Sequence, residues 1–111
     1  MIDKADLDGL LQETGRGDAH AFRLLYDAVS PRLMAVAYRL LNDRQQAEDV
    51  VQEAMIAAWR SGTDYDSRRS QAATWLISIT RYRALDLIRK HGRQREILRD
   101  GQHDVRRVLG H

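Results

Sequence analysis

The stretch Arg44-Gln45-Gln46-Ala47-Glu48-Asp49-Val50-Val51-Gln52-Glu53-Ala54-Met55-Ile56-Ala57-Ala58-Trp59-Arg60-Ser61 holds the period that decides the fold. At ~100° per residue, Ala47, Val50, Val51, Ala54, Met55 and Ala58 gather on one side of a helix, and that side is predicted to be core. The opposite side carries Asp49, Gln52, Glu53, Ile56 and Arg60, spaced i, i+3, i+4, i+7 and i+11. Carboxylates suit a solvent face, but a large β-branched apolar residue among them gains nothing from water. Ile56 therefore reads either as a scattered surface residue, which is common, or as the apolar anchor of a docking face inside a charged rim.

Working outward toward the N-terminus, helical signals continue and no strand alternation interrupts them. Residues 5–14 form a short amphipathic segment around Leu7, Leu10 and Leu11, stopped by Gly15-Arg16-Gly17. Asp18 is suited to cap a second helix with Ala21, Phe22, Leu24, Leu25, Tyr26 and Val29 on its apolar face. Ser30-Pro31 has the residues of an N-cap and a first helical turn, so a separate third helix is expected over 31–41, ending at Asn42-Asp43.

Toward the C-terminus, Thr63-Asp64-Tyr65-Asp66-Ser67-Arg68-Arg69-Ser70-Gln71 is too polar for helix core and reads as an exposed loop. It is either a generic connection or, with its ring, arginines and short polar groups, a mixture able to stack an unpaired base and hold its phosphates. A last helix over 72–91 distributes Trp75, Leu76, Ile77, Ile79, Ala84, Leu85, Leu87 and Ile88 almost all round, as expected of a helix in the middle of a bundle. On it Thr74, Ser78, Arg81 and Arg89 share one arc, with Tyr82 available for stacking. Arginine's planar fork serves phosphates and base edges, which favours strand binding over a purely structural role.

The composition bounds the rest. A chain of 111 residues with 43% hydrophobic and 31% charged side chains is a single foldable domain. With no Cys there are no disulfides, thiolate metal sites or cysteine nucleophiles. No apolar stretch is long enough to span a bilayer, and Met1-Ile2-Asp3-Lys4 lacks a signal-peptide pattern, so a cytoplasmic protein without membrane insertion is expected. His20, His91, His103 and His111 are scattered without metal-ligand spacing, and no nucleophile triad or phosphate-cradling glycine loop occurs. Neither enzymatic activity nor a cofactor is expected. The net charge of +2 conceals a strong division: residues 1–67 carry 7 Lys/Arg against 12 Asp/Glu, a net of −5, and residues 68–111 carry 11 against 4, a net of +7. The basic part is either a solvated tail or the electrostatic footprint of nucleic-acid contact.

Four blocks fall in order within the chain: Gly17-Asp18-Ala19-His20-Ala21-Phe22 with Leu25-Tyr26; Ser30-Pro31-Arg32-Leu33; Ala47-Glu48-Asp49-Val50-Val51-Gln52-Glu53 leading to Ala58-Trp59-Arg60; and Thr74-Trp75-Leu76 through Ala84-Leu85-Asp86-Leu87-Ile88-Arg89. Together they resemble region 2 of the bacterial sigma factors of the extracytoplasmic-function group, over about residues 17–91. The resemblance implies an all-α, compact bundle of about four to five helices, here spanning 1–91. Residues 92–111 are then the basic, partly flexible start of an interdomain linker, and the family's helix-turn-helix domain is absent from this chain.

The resemblance also implies a non-enzymatic subunit that binds core RNA polymerase and recognises and melts the promoter minus-ten element. Asp49, Gln52, Glu53, Ile56 and Arg60 would dock on the β′ clamp coiled coil. Tyr65, Asp66, Ser67, Arg68, Arg69 and Gln71 would hold a flipped non-template base, and Thr74, Ser78, Arg81, Tyr82 and Arg89 would guide the strand. An anti-sigma protein is a further implied partner. Tyr82 stands where the family often has Asn, and Ser67-Arg68-Arg69-Ser70 replaces its more usual acidic, glycine-containing loop, which leaves the preferred base open. The alternative reading is a helical protein-interaction module with no DNA role.

Overall fold

The computed structural model describes the backbone of residues 4–108 and the side chains of residues 6–92. Among the described residues the chain forms α1 (Lys4–Gly15), α2 (Ala19–Leu41), α3 (Arg44–Ser61), a 3₁₀ turn (Gly62–Asp64) and α4 (Ala72–Val108), with no strand. The all-α bundle expected from the sequence is what forms.

The helix ends follow local chemistry. Asp18 accepts from the backbone N–H groups of His20 and Ala21 at 3.0 and 3.1 Å, closing the start of α2. Asn42 ends it in the left-handed region at φ 51°, donating its N–H to the Tyr38 carbonyl, and Asp43 then caps α3 through the Gln46 N–H. In the α1–α2 turn the left-handed position, φ +93°, falls to Gly17, where no Cβ opposes it.

Two expectations about helix boundaries are corrected. Residues 19–41 are one helix of 23 residues, with Pro31 inside it. Pro31 and Asp27, whose carbonyl loses its helical donor, both face solvent, so water can satisfy that oxygen, while Val29 and Leu33 on either side are buried. Tertiary burial outweighs the local break signal. At the other end α4 does not stop near residue 91 but continues through Gly92 and Gly101 to Val108. An isolated Gly costs a helix only ~1 kcal/mol relative to Ala, which good helix formers on both sides can offset. The side chains of 93–111, where the linker is expected, lie outside the described ones.

All six core residues expected on α3, Ala47, Val50, Val51, Ala54, Met55 and Ala58, are buried. They pack against Leu11 of α1, Leu25, Val29, Leu33 and Ala37 of α2, and Ala72, Leu76 and Ala84 of α4. The alanines let the helix backbones approach closely, and the fully buried leucines each contribute on the scale of ~2–5 kcal/mol, the cost of truncation to Ala. Buried Thr14 and Thr80 donate to the carbonyls of Leu10 and Leu76, so neither hydroxyl is stranded in the core.

Candidate functional site

The outer face of α3 presents Asp49, Gln52, Glu53, Ile56 and Arg60 to solvent as one stripe, with Ile56 48% exposed. Beside Ile56 a groove of about 460 Å³ runs between α2 and α3, walled by Phe22, Tyr26, Met55 and Ile56 and edged by Gln52 and the Arg23–Asp27 ion pair. Phe22 organises its aromatic wall: Trp59 meets it edge-on at 5.8 Å and Tyr26 stacks at 6.5 Å. Tyr26 and Gln52 carry the groove on into a second depression past Pro31 and Met34. Such an apolar trough with a charged rim is suited to receive an amphipathic helix of another protein.

The second face is built from the 65–71 loop and α4. Thr74, Ser78, Arg81, Tyr82 and Arg89 are all exposed, Tyr82 to 61%, and with Leu85 and Ile88 they occupy about 120° of the helix surface at ~100° per residue. The Ser78 hydroxyl donates to the Thr74 carbonyl at 2.9 Å, so in this rotamer it is an acceptor only. Arg89 and Lys90 both reach Asp86, at 3.5 and 3.1 Å. The Lys90 hydrogen bond, with the surrounding positive charge, holds the Asp86 carboxyl below the usual range. Arg83 lies 3.9 Å from Glu53, joining α4 to the edge of the α3 stripe.

Within the loop, Asp66 accepts from the Arg68 backbone N–H at 2.9 Å and from its guanidinium at 3.1 and 3.3 Å. These bonds, with the charge of Arg69, depress the Asp66 pKa. Ser67, Arg68, Arg69 and Gln71 point outward. Tyr65 does not: it is 5% exposed, its ring tilted against Trp75 at 5.9 Å. Its hydroxyl lies 2.7 Å from the Asp8 carboxylate on α1 and 2.6 Å from the Ser70 carbonyl.

The family described as Sigma-70 region 2 matches residues 25–94, which include the α3 stripe, the loop and the exposed arc of α4. The chain belongs to that family. Its relatives place this sigma region 2 in the extracytoplasmic-function group. It is 34% identical over 93 residues to the ECF RNA polymerase sigma factor SigK of Mycobacterium ulcerans, covering 82% of this chain and 50% of that protein. It is 34% identical over 95 residues to SigK of Mycobacterium tuberculosis H37Rv, covering 84% and 51%. SigK of Mycolicibacterium vanbaalenii matches at 33% over 85 residues, covering 77% and 43%. The chain thus spans about half the length of the curated relatives it matches.

Against this sigma region 2 frame, the α3 residues named from the sequence share one exposed face, as do the residues named on α4. The loop differs from expectation at Tyr65. A ring that stacks on a base must be open to solvent, whereas Tyr65 is the buried floor of the loop. Its hydroxyl is held by Asp8, a residue 57 positions earlier, which no local pattern reveals. Leu85 and Ile88 also differ: expected in the bundle interior, they are 44% and 42% exposed between Arg81 and Arg89. The groove walls Phe22 and Tyr26 were visible only as apolar positions of a helix, and Tyr26, a ring with a polar tip, was the one that could have signalled a wet face. No described helix is long and apolar enough to cross a membrane.

Proposed function

We propose that this sigma region 2 domain binds core RNA polymerase through the α2–α3 groove and recognises promoter minus-ten DNA through the 65–71 loop and the exposed arc of α4. The observation that carries this reading is the presence, on one small bundle, of two separate exposed faces of opposite chemistry. One is an apolar trough edged by Gln52 and the Arg23–Asp27 ion pair, beside the α3 stripe that carries Asp49 and Glu53; the other is a basic arc with Tyr82, Leu85 and Ile88 between its arginines.

On the first face, Ile56 is the anchor that leaves water on docking, and Asp49, Gln52, Glu53 and Arg60 set register around it; the β′ clamp coiled coil is the partner. On the second, Arg81 and Arg89 track phosphates while Ser67, Arg68, Arg69 and Gln71 surround one unpaired non-template base, over a floor made by Tyr65. Extruding a base costs a few kcal/mol, least at a weakly stacked step, so binding energy in the loop converts into strand separation without nucleotide hydrolysis. The domain is then a non-enzymatic initiation subunit, and an anti-sigma protein would inhibit it by covering either face. The test is binding of a minus-ten non-template oligonucleotide against a scrambled one at matched salt. Preference for the minus-ten strand with steep salt dependence is expected. Equal binding of both, or none, favours a protein-interaction module instead.

A further inference from the structure

The loop's shape depends on a residue outside it. Asp8 Oδ1, on α1, accepts from the Tyr65 hydroxyl at 2.7 Å and from the Ala72 backbone N–H at 2.9 Å. The Tyr65 oxygen in turn lies 2.6 Å from the Ser70 carbonyl. One carboxylate oxygen therefore holds the first residue of the loop and the first residue of α4, and the penultimate loop residue meets the same Tyr65 hydroxyl through its carbonyl. The phenol has one proton for two acceptors, so the Asp8 and Ser70 oxygens share it.

The cap of α4 explains why a carboxylate is wanted there. Gln71 sits at the N-cap position, where Ser, Thr, Asp or Asn would normally serve the orphan N–H groups. Its carbonyl accepts from Trp75 at 3.0 Å, but Ala72 N–H is served from α1 instead. A negative charge at a helix N-terminus also opposes the positive end of the helix dipole. One side chain thus closes the loop and starts the helix that follows it.

We propose that Asp8 is a positioning residue for strand recognition: it acts through Tyr65 and Ala72 to hold the 66–71 loop in the shape that discriminates among unpaired bases. This rests on the DNA reading above. Asp8 is half-buried, and the role assigned to it is exerted through Tyr65 and Ala72.

The experiment compares the full chain with Asp8→Ala, Asp8→Asn and Tyr65→Phe in three measurements: preference for a minus-ten over a scrambled oligonucleotide, affinity for core polymerase, and amide hydrogen exchange at Ala72. Asp8→Ala and Tyr65→Phe are expected to lower the preference about tenfold, as for loss of a hydrogen bond to a charged group. Core affinity should stay within about twofold, because the groove is built from α2 and α3. Asp8→Asn, which keeps an acceptor oxygen in place, should restore most of the preference and the protection of Ala72. The proposal is overturned if Asp8→Ala keeps the wild-type preference and protection, or if preference and core affinity fall together in proportion. A wild-type chain without preference refutes the DNA reading, and exchange at Ala72 then decides separately whether Asp8 holds the loop.

Discussion

Gly15 and Gly62 meet backbone to backbone where the end of α1 crosses the start of the 3₁₀ turn. A Cβ added to Gly62 would stand 2.6 Å from the Leu11 carbonyl and 3.0 Å from the Gly15 Cα, and one added to Gly15 would stand 2.5 Å from the Thr63 nitrogen. Both obstacles are backbone and cannot swing aside. With the Asp8 anchor, this crossing seats the 65–71 loop on α1, the helix farthest from it in sequence.

Gly62→Ala and Gly15→Ala should therefore each destabilise the bundle by about 1–3 kcal/mol, the usual cost of overpacking. Gly9 is the control: nothing lies within 4 Å of its added Cβ, and in a helix interior Gly→Ala should stabilise by about 0.5–1 kcal/mol. Thermal unfolding of the three variants checks the pattern. Equal midpoints for Gly62→Ala and Gly9→Ala would contradict it.

Pro31→Ala should stabilise α2, because it returns an N–H to the Asp27 carbonyl at a solvent-facing position. Helix propensity favours the change by up to ~3 kcal/mol, and the more flexible unfolded chain takes back ~0.4–1 kcal/mol. Denaturant titration should show a raised midpoint with an unchanged slope. A lowered midpoint would mean that the proline is structurally required.

The Tyr65 phenol is pushed well above the ordinary tyrosine range, first by burial and then by its hydrogen bond to Asp8 and that group's charge. A folded-state pKa above the unfolded value of ~10 means the fold holds this proton more tightly. Its contribution is complete below pH ~10 and is lost as pH rises through the folded-state value. Wild type should thus lose stability faster than Tyr65→Phe above pH ~10. Parallel curves would show that the buried phenol is not coupled to folding.

What was legible in the sequence follows a physical division. The α3 period identified six buried residues and one exposed stripe, because a helix with two distinct sides writes both into a spacing of 3.6. Pro31 misled because a local rule was outweighed by burial of Val29 and Leu33, which only the assembled bundle supplies. Leu85 and Ile88 misled because an apolar residue needs a neighbour to be core, and α4 has neighbours on one side only. Tyr65 was out of reach altogether: its partner comes from α1 and pairs with it only after the chain has folded back on itself.

Ile56→Glu should weaken binding to core polymerase by more than ~1 kcal/mol, since it puts a charge at the centre of an otherwise apolar contact. At 48% exposure it should leave helix content unchanged. A soluble variant with wild-type circular dichroism and undiminished pull-down of core polymerase would remove the groove from the account.

Neutralising Arg81 and Arg89 should weaken binding to every single strand alike and reduce the salt slope by about one unit for each phosphate left without its arginine. Replacing Arg69 and Gln71 should instead erode discrimination among minus-ten sequences. Salt titrations with matched and scrambled strands separate the two classes; identical behaviour of the two pairs would contradict the division of roles.

The central claim is that a single non-template base leaves the stack and enters the 65–71 loop. Placing 2-aminopurine at each position of a minus-ten non-template strand in turn, and reading its fluorescence as the chain is added, tests this directly. The account predicts one position whose emission rises as the base unstacks, with the rise abolished when Arg69 and Gln71 are both replaced by Ala. A uniform response along the strand, or an unchanged response in that double variant, would contradict it.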